Sequence, residues 1–252
     1  MNINEIRESL DILGQKLGEK SRAKAKIDPE QRAEQDAKTR AYWDAVYNSQ
    51  PVTVEVPKLQ IARNWYRILK REVMEGKTCK PNQKPRFDGH IQKLYMAVLA
   101  CAIECEELGE QLGIDVHKGI LVIGDIGIAK SSVFRHCASK PFFKARMVAC
   151  NTIRTNASKK GFEALEVYEK GGWIFDDLGI EGVALSYGQK IHPVQDLLYT
   201  RYDLFMRDGT KTYFTTNKNE AELGEIYDAR FLDRINDTCN VIYLSETRSL
   251  RG

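Results

Sequence analysis

The chain has 252 residues, which is enough for one large domain or for one domain with a small appendage. Its hydrophobic fraction of 42% and charged fraction of 29% are typical of a globular protein, and no apolar run approaches the ~18 residues that a membrane span needs. The net charge is only +3, so any affinity for nucleic acid must come from local basic patches. Because the first residues lack the basic and apolar segments of a signal peptide, we expect a cytoplasmic protein without a membrane partner.

The first 86 residues are predicted to form a helical, partly basic region that contacts a partner or DNA. Residues 1–50 mix charged residues with helix formers, and Asp28-Pro29 signals the start of a helix. Residues 58–86 contain nine lysines and arginines against two acidic residues, and apolar residues recur at helical spacing around Trp65. This basic face can contact phosphate groups. The alternative is a solvated polar face with Trp65 docked in a core.

Residues 87–252 are predicted to form an α/β domain. A long helix over 90–113 is expected to end at Gly109 or Gly113, and helical patterns also cover 157–170 and 192–209. Strands that alternate with helices indicate a parallel sheet covered by helices on both faces. Five short apolar runs predict its buried strands: GILVI (119–123), ARMVAC (145–150), GGWIFDD (171–177), KTYFTT (211–216) and NVIYL (240–244).

A candidate phosphate-binding loop follows the first of these strands. In GDIGIAKS, Gly124, Lys130 and Ser131 are in register with the pattern G-x-x-x-x-G-K-[ST], but Ala129 replaces its last glycine. Such a loop offers backbone N–H groups to a phosphate, while Lys130 would reach the β- and γ-phosphates and Ser131 would bind Mg²⁺. An ordinary turn between a strand and a helix is the alternative. The candidate nucleotide-binding residues are Gly124, Asp125, Ile126, Gly127, Ile128, Ala129, Lys130, Ser131 and Ser132.

Two adjacent carboxylates end the third strand, in GGWIFDDLGIE. Asp176 suits the coordination of Mg²⁺ through water, together with Ser131. Asp177 is the candidate catalytic base that orients the attacking water, and Glu181 is a reserve candidate for this role. The alternative interpretation of two adjacent aspartates is a turn or a helix cap.

Further polar residues follow downstream. Asn217 comes just after the fourth strand, in YFTTNKN. Arg230 and Arg234 lie four residues apart on a short predicted helix, in DARFLDRI. The ordinary alternatives are a turn asparagine and a pair of arginines in surface salt bridges. The order of phosphate loop, acidic strand end, asparagine and arginine helix makes the combination more specific than any one of its parts.

This order of motifs, over residues 95–252, resembles the AAA+ domain of the bacterial replicative-helicase loaders of DnaC and DnaI type, and of the related IstB transposition ATPases. The segments IFDDLGIE, TTN, RFLDRI and ETRSLRG carry the resemblance. The loop is also similar to that of the minichromosome-maintenance helicases, active AAA+ ATPases with alanine at the position of Ala129. The resemblance implies a P-loop NTPase fold of the AAA+/ASCE type, with a five-stranded parallel sheet preceded by a small helical region.

The resemblance also implies an activity and its partners. It implies an ATPase that uses ATP and Mg²⁺ and forms nucleotide-dependent homo-oligomers. It also implies binding to single-stranded DNA, and to a replicative helicase through the N-terminal region. Asn217 would be a sensor that positions water near the γ-phosphate. Arg234, with Arg230 beside it, would act as an arginine finger on the nucleotide of a neighbouring subunit. Arg251 would be a sensor-2-like nucleotide contact.

Basic residues after the second strand form a candidate DNA-facing patch, in NTIRTNASKK. They are Arg154, Lys159 and Lys160, and a solvated loop is the alternative. Two rival functions stay open. One is a transposition helper ATPase of IstB type, which would bind duplex DNA and a transposase. The other is a nucleotide-dependent scaffold that does not hydrolyse ATP, with Ala129 marking the loss of turnover.

Overall fold

The computed structural model of the chain describes residues 56–78, 87–186 and 189–244. The predictions made for residues 1–55, and that for Arg251, lie outside these residues. The helices are α1 (Lys58–Met74), α2 (Gly89–Ile103), α3 (Glu106–Leu112), α4 (Lys130–Ala138), α5 (Cys150–Lys160), α6 (Glu166–Glu169), α7 (Pro193–Asp208), α8 (Glu220–Ile226) and α9 (Ala229–Thr238). The strands are β1 (Gly119–Gly124), β2 (Ala145–Ala149), β3 (Gly172–Asp176), β4 (Ala184–Ser186), β5 (Gln189–Ile191), β6 (Thr212–Thr216) and β7 (Cys239–Leu244).

Five strands form a parallel sheet in the order β2-β3-β6-β1-β7, and each corresponds to one of the five apolar runs predicted from the sequence. Strand β1 pairs with both β6 and β7, so that Leu121 lies opposite Phe214 on one side and Val241 on the other. Because the strands are parallel, the residues that follow β1, β3 and β6 are brought to one edge of the sheet. This edge holds the phosphate loop, the two aspartates and Asn217.

Helices cover both faces of the sheet, as predicted. Alternate residues of β1 point to opposite faces. Ile120 and Val122 belong to an apolar cluster with residues of α1, α2 and α4. Leu121 and Ile123 belong to a second cluster with residues of α5, α7, α8 and α9. The chain therefore has the α/β fold class expected of a P-loop ATPase, with the strand that precedes Asn217 lying between the strand of the phosphate loop and the strand of the aspartates.

Helix α1 packs on the α/β unit through its apolar side. Leu69 is fully buried, and the ring of half-buried Trp65 lies 5.0 Å from that of Phe142. Trp65 is thus docked against the core, whereas the side chains of Arg67 and Lys70 are exposed. The assignment of residues 1–86 to a partner-binding or DNA-binding region stays a prediction.

The predicted helix over 90–113 is interrupted, which corrects the sequence analysis. Glu104 adopts a left-handed conformation (φ 56°) and separates α2 from α3. Two lysines bind carbonyl groups at this break: Lys211 Nζ donates to Cys101 O at 2.7 Å, and Lys58 Nζ donates to Glu104 O at 3.0 Å. Both lysines are distant in sequence, so a local pattern could not have predicted the break. Helix α3 ends at Gly113, as expected.

The region between β2 and α7 also differs from the prediction. Helix α5 begins at Cys150 and ends before Gly161 (φ 67°), where a 3-10 helix takes over, so 157–170 is not one helix. The basic segment 150–160 is therefore helical rather than a loop. Strands β4 and β5 form an antiparallel pair that was not predicted, because three-residue strands are too short to show alternation. Within the described part of the chain, no helix is both long and apolar enough to span a membrane.

Candidate nucleotide site

The candidate phosphate loop joins β1 directly to α4 and curves around the side chain of Lys130. Lys130 is buried, and its Nζ donates hydrogen bonds to the carbonyl oxygens of Gly124 at 2.5 Å and Asp125 at 2.8 Å. A Cβ atom at Gly124 would lie 2.4 Å from both Leu244 O and the Ile128 side chain, so only glycine fits there. The loop thus holds its ammonium group inside the turn, where a phosphate group bound by the backbone would meet it.

Ala129, the departure from the motif, has a left-handed backbone conformation that a glycine would adopt without strain. Its φ of 69° and ψ of 13° are left-handed, which costs a residue with a side chain about 1–2 kcal/mol relative to glycine. The residue packs against the apolar cluster on the α4 face of the sheet. The methyl group of Ala129 therefore occupies a left-handed position that is strained for any residue with a side chain.

A carboxylate and a hydroxyl group meet at the base of the loop. Ser131 Oγ donates a hydrogen bond to Asp176 Oδ1 at 2.6 Å. Thr215 Oγ1 donates to the same oxygen at 2.5 Å, and it accepts the backbone N–H of Asp177 at 3.0 Å. Oxygen ligands of this kind fit Mg²⁺, which binds through one or two protein oxygens with waters and phosphates completing its shell. The sequence analysis missed Thr215, whose only signal was its place two residues before Asn217 at a strand end.

The two candidates for a catalytic carboxylate differ in their surroundings. Asp177 has a left-handed conformation (φ 58°) and is half-buried at the end of β3. Glu181 is buried, with both oxygens engaged: one accepts the N–H of Gly179 at 2.9 Å and the other accepts the hydroxyl of Tyr227. Burial raises the pKa of Glu181. These contacts hold both oxygens of Glu181 within the protein.

Asn217 has a buried amide oxygen that accepts no hydrogen bond from the described residues. Leaving a buried acceptor unpaired costs about 1–3 kcal/mol, so such atoms are usually completed by water or a ligand. The preceding residue, Thr216, donates to Leu178 O at 2.7 Å and accepts the N–H of Lys218 at 3.0 Å. These bonds join the ends of β3 and β6, and they fix the backbone on either side of Asn217.

The arginine helix α9 lies against α7. Asp228 caps α9 by accepting the N–H of Phe231 at 2.9 Å, and it also accepts the hydroxyl of Tyr199 at 2.6 Å. The guanidinium carbon of Arg234 lies 4.3 Å from the ring centre of Tyr199 and 4.8 Å from that of Tyr202. Arg230 is exposed. The observed contacts of Arg234 are thus with α7, and none of them joins it to the phosphate loop of its own chain.

The candidate DNA patch lies on α5, directly after β2. Lys159 and Lys160 are exposed at the end of the helix, and Arg154 is half-buried with its Nε donating to Asn151 Oδ1 at 3.1 Å. Among the described residues, none of these three side chains forms an ion pair with an acidic group. The patch therefore presents uncompensated positive charge.

Comparison with known proteins gives no matching family model and no matching curated protein. Among solved structures, the chain is similar to a putative primosome component from Streptococcus pyogenes serotype M3, with 17% identity over 64% of this chain and 84% of that one and a TM-score of 0.46. It is similar to DnaI with 17% identity over 66% and 87% of the two chains and a TM-score of 0.45. It is similar to the DnaC helicase loader with 16% identity over 51% and 78% and a TM-score of 0.38. Both loader types named from the motifs are therefore among these structures.

Proposed function

We propose that this protein is a AAA+ factor that binds and hydrolyses ATP and acts in DNA replication in the manner of a helicase loader. The observation that carries the proposal is the hydrogen bond between Ser131 and Asp176 at the base of a loop that encloses Lys130. A phosphate loop and an acidic strand end are separate sequence motifs, and their direct contact is what a shared nucleotide–metal site requires.

Different groups of the chain are proposed to bind the phosphates and the metal ion. The backbone N–H groups of the loop and Lys130 hold the phosphates, and Ser131 and Asp176 hold Mg²⁺. When bound, Mg²⁺ neutralises negative charge on the phosphate oxygens. Arg251 is proposed as a further nucleotide contact.

Asp177 and Asn217 are proposed to handle the attacking water. Asp177 accepts a proton from it, and the Asn217 amide, whose oxygen has no acceptor role among the described residues, fixes its position. Arg234, with Arg230 beside it, stabilises charge on the γ-phosphate of a neighbouring copy. Hydrolysis would then depend on a nucleotide-dependent homo-oligomer.

Single-stranded DNA and a replicative helicase are the proposed partners. The exposed cations of α5, Lys159 and Lys160, and those of α1, Arg67 and Lys70, supply positive charge for a phosphate backbone. The N-terminal region, residues 1–86, is proposed to contact the helicase.

The binding site is tested with Ser131→Ala, Asp176→Asn and Lys130→Ala in the full-length chain. Affinity for a fluorescent ATP analogue, measured with and without Mg²⁺, should be lost in Lys130→Ala, and its dependence on Mg²⁺ should be lost in the other two variants. Ser139→Ala is a matched control, because Ser139 follows the other end of α4 and its hydroxyl donates to the backbone oxygen of His136. Unchanged Mg²⁺ dependence in Ser131→Ala would argue against the proposed site.

A nucleotide-dependent scaffold is the second candidate function. It is favoured by one observation: both oxygens of the longer carboxylate near the site, Glu181, accept hydrogen bonds within the protein, from Gly179 and Tyr227. Tight ATP binding with no phosphate release, with or without single-stranded DNA, would favour the scaffold over the ATPase.

A further inference from the structure

Two arginines, one within α7 and one packed against it, are held by different kinds of contact. Arg201, in α7, is fully buried, and its Nε donates to Thr212 Oγ1 at 2.7 Å. Its two terminal nitrogens donate to the backbone oxygens of Tyr168, Gly171 and Lys211 at 2.8–3.2 Å. Four of the five N–H donors of that guanidinium are thus bonded within the domain. Arg201 is therefore a structural residue, fully buried and bonded to the backbone around it.

Arg234 is held by ring faces and by no hydrogen bond of its guanidinium to any described residue. Tyr199 and Tyr202 are three residues apart on α7, so that their rings lie on one side of the helix. Both rings lie within the ~6 Å over which a cation is attracted to a ring face. Contact with a ring uses the face of a guanidinium, whereas its five N–H donors lie in the plane. The stacked side chain thus keeps its donors for an acceptor outside the described fold.

The tyrosine platform is itself fixed to the helix that carries Arg234. The hydroxyl of Tyr199 donates to Asp228 Oδ2, while Asp228 Oδ1 accepts the N–H of Phe231 in the first turn of α9. Gln195, one turn before Tyr199, donates to Asp228 at 3.2 Å and accepts its N–H at 3.3 Å. The start of α9 and the face of α7 are therefore joined, so the platform and Arg234 keep one relative position.

We propose that Tyr199 and Tyr202 are positioning residues that hold Arg234 ready to bind the γ-phosphate of a nucleoside triphosphate in a second copy of the chain. The proposal rests on the proposed function, in which Arg234 acts on a neighbouring nucleotide. A free arginine side chain has many rotamers, and ordering it during the reaction costs entropy. A platform that restricts the side chain beforehand removes part of this cost while leaving the N–H donors available.

A second stacked arginine provides a matched control. The guanidinium carbon of Arg146, in the edge strand β2, lies 4.2 Å from the ring centre of Trp173. Arg146 is exposed and has a single ring beneath it. It tests whether loss of any stacked surface arginine lowers hydrolysis, and we expect Arg146→Ala to leave the rate unchanged.

The experiment is a double-mutant cycle on hydrolysis by the full-length chain with single-stranded DNA. Tyr202→Leu removes one ring and leaves the Tyr199–Asp228 bond in place. We expect it to lower kcat about tenfold, the loss that corresponds to one cation–ring contact, with no change in nucleotide affinity. Tyr202→Phe keeps the ring and should retain kcat within about twofold of the wild type. In the Arg234→Ala background, Tyr202→Leu should cause no further loss.

Three results would overturn the positioning role: an equal loss from Tyr202→Leu with and without Arg234, a loss in Tyr202→Phe as large as in Tyr202→Leu, or weakened nucleotide binding that accounts for the whole effect. If Tyr202→Leu does not fold, Tyr202→Met replaces it, because methionine fills a similar volume without a ring. The proposed function fails in a different way. In that case Arg234→Ala alone hydrolyses ATP at the wild-type rate.

Discussion

The hydroxyl of Ser131 and the carboxylate of Asp176 are joined by a hydrogen bond of 2.6 Å, although 45 positions separate the two residues in the chain. Ser131 stands in the first turn of α4, and Asp176 ends β3. Parallel strands bring these two positions to one edge of the sheet. The contact joins the two halves of the proposed nucleotide–metal site.

Asp176→Asn and Asp177→Asn should have different effects. Loss of the Asp176 charge should weaken nucleotide binding in the presence of Mg²⁺, because that carboxylate is proposed to hold the ion. Asp177→Asn should bind nucleotide as well as the wild type but hydrolyse it ~10²-fold more slowly, the usual effect of removing a general base. Binding titrations and phosphate-release assays on both variants distinguish the roles. Unimpaired turnover in Asp177→Asn would move the catalytic role to Glu181 or remove it.

Ala129→Gly should stabilise the fold slightly and leave nucleotide affinity unchanged or tighter. Glycine relieves about 1–2 kcal/mol of left-handed strain but loses about 0.5–1 kcal/mol through the greater freedom of the unfolded chain, for a net gain of up to ~1.5 kcal/mol. Urea denaturation measures this difference.

Ala138→Gly is the matched control for that substitution. Ala138 is the last residue of the same helix, α4, so glycine there has no left-handed strain to relieve. We expect it to lower the free energy of unfolding by up to ~1 kcal/mol. Equal losses in both variants would show that the left-handed conformation of Ala129 costs nothing.

Glu72 should contribute acid-sensitive stability. Hydrogen bonds from Lys140 (2.5 Å) and His136 (2.7 Å) lower its pKa from 4.5 to about 2. A carboxyl group with a depressed pKa in the folded state stabilises the protein above pH 4.5, and this contribution is lost as the pH falls towards 2. Burial also lowers the pKa of His136. Protonation of this histidine therefore destabilises the fold as the pH falls, as protonation of Glu72 does.

Glu72→Gln should therefore lower the free energy of unfolding at pH 7 by about 2 kcal/mol and flatten its dependence on pH below 5. Glu75→Gln is the control on the same helix, because Glu75 pairs with Arg71 and Lys77 at the surface, where ion pairs contribute less than ~1 kcal/mol. Denaturation curves between pH 3 and pH 7 compare the two variants. If the free energy of unfolding of Glu72→Gln fell below pH 5 as steeply as that of the wild type, Glu72 would not be the source of the acid-sensitive stability.

The α5 patch should contribute to the salt dependence of DNA binding. If Lys159 and Lys160 each neutralise one phosphate of a single strand, changing both to alanine should make the slope of log K against log salt less negative by about 1.4. Lys93 and Lys144, which are also exposed, provide a double-alanine control that should leave the slope unchanged. If both double variants changed the slope equally, the overall charge of the protein, and not the α5 patch, would account for the effect.

The sheet could be predicted from the sequence because each of its strands is a short, buried apolar run bounded by polar residues. Lys130, Asp176 and Asn217 could be placed at one edge because parallel strands all end there. Contacts between residues distant in the chain could not be predicted from the local sequence pattern. Lys58 and Lys211 bind the helix break at Glu104 from 46 and 107 positions away, and no periodicity reports such contacts.

The partners of the candidate site residues were equally hidden. Thr215 lies in an apolar run in which a threonine is an ordinary strand residue. Tyr199 and Tyr202 have the spacing of a helix face that packs on a core, and only the position of α9 turns that face into a platform for Arg234.

The most direct test of ATP hydrolysis at this site measures phosphate release by the purified full-length chain with ATP, Mg²⁺ and single-stranded DNA. The wild type should release phosphate, Lys130→Ala should be inactive alone, and Arg234→Ala should retain only a residual rate, about 10³-fold below the wild type. A mixture of the two variants should recover part of the activity, because an intact nucleotide site then meets an intact arginine from a neighbour. Full activity of Lys130→Ala, or an inactive mixture of variants that demonstrably co-assemble, would contradict a nucleotide site shared between copies of the chain.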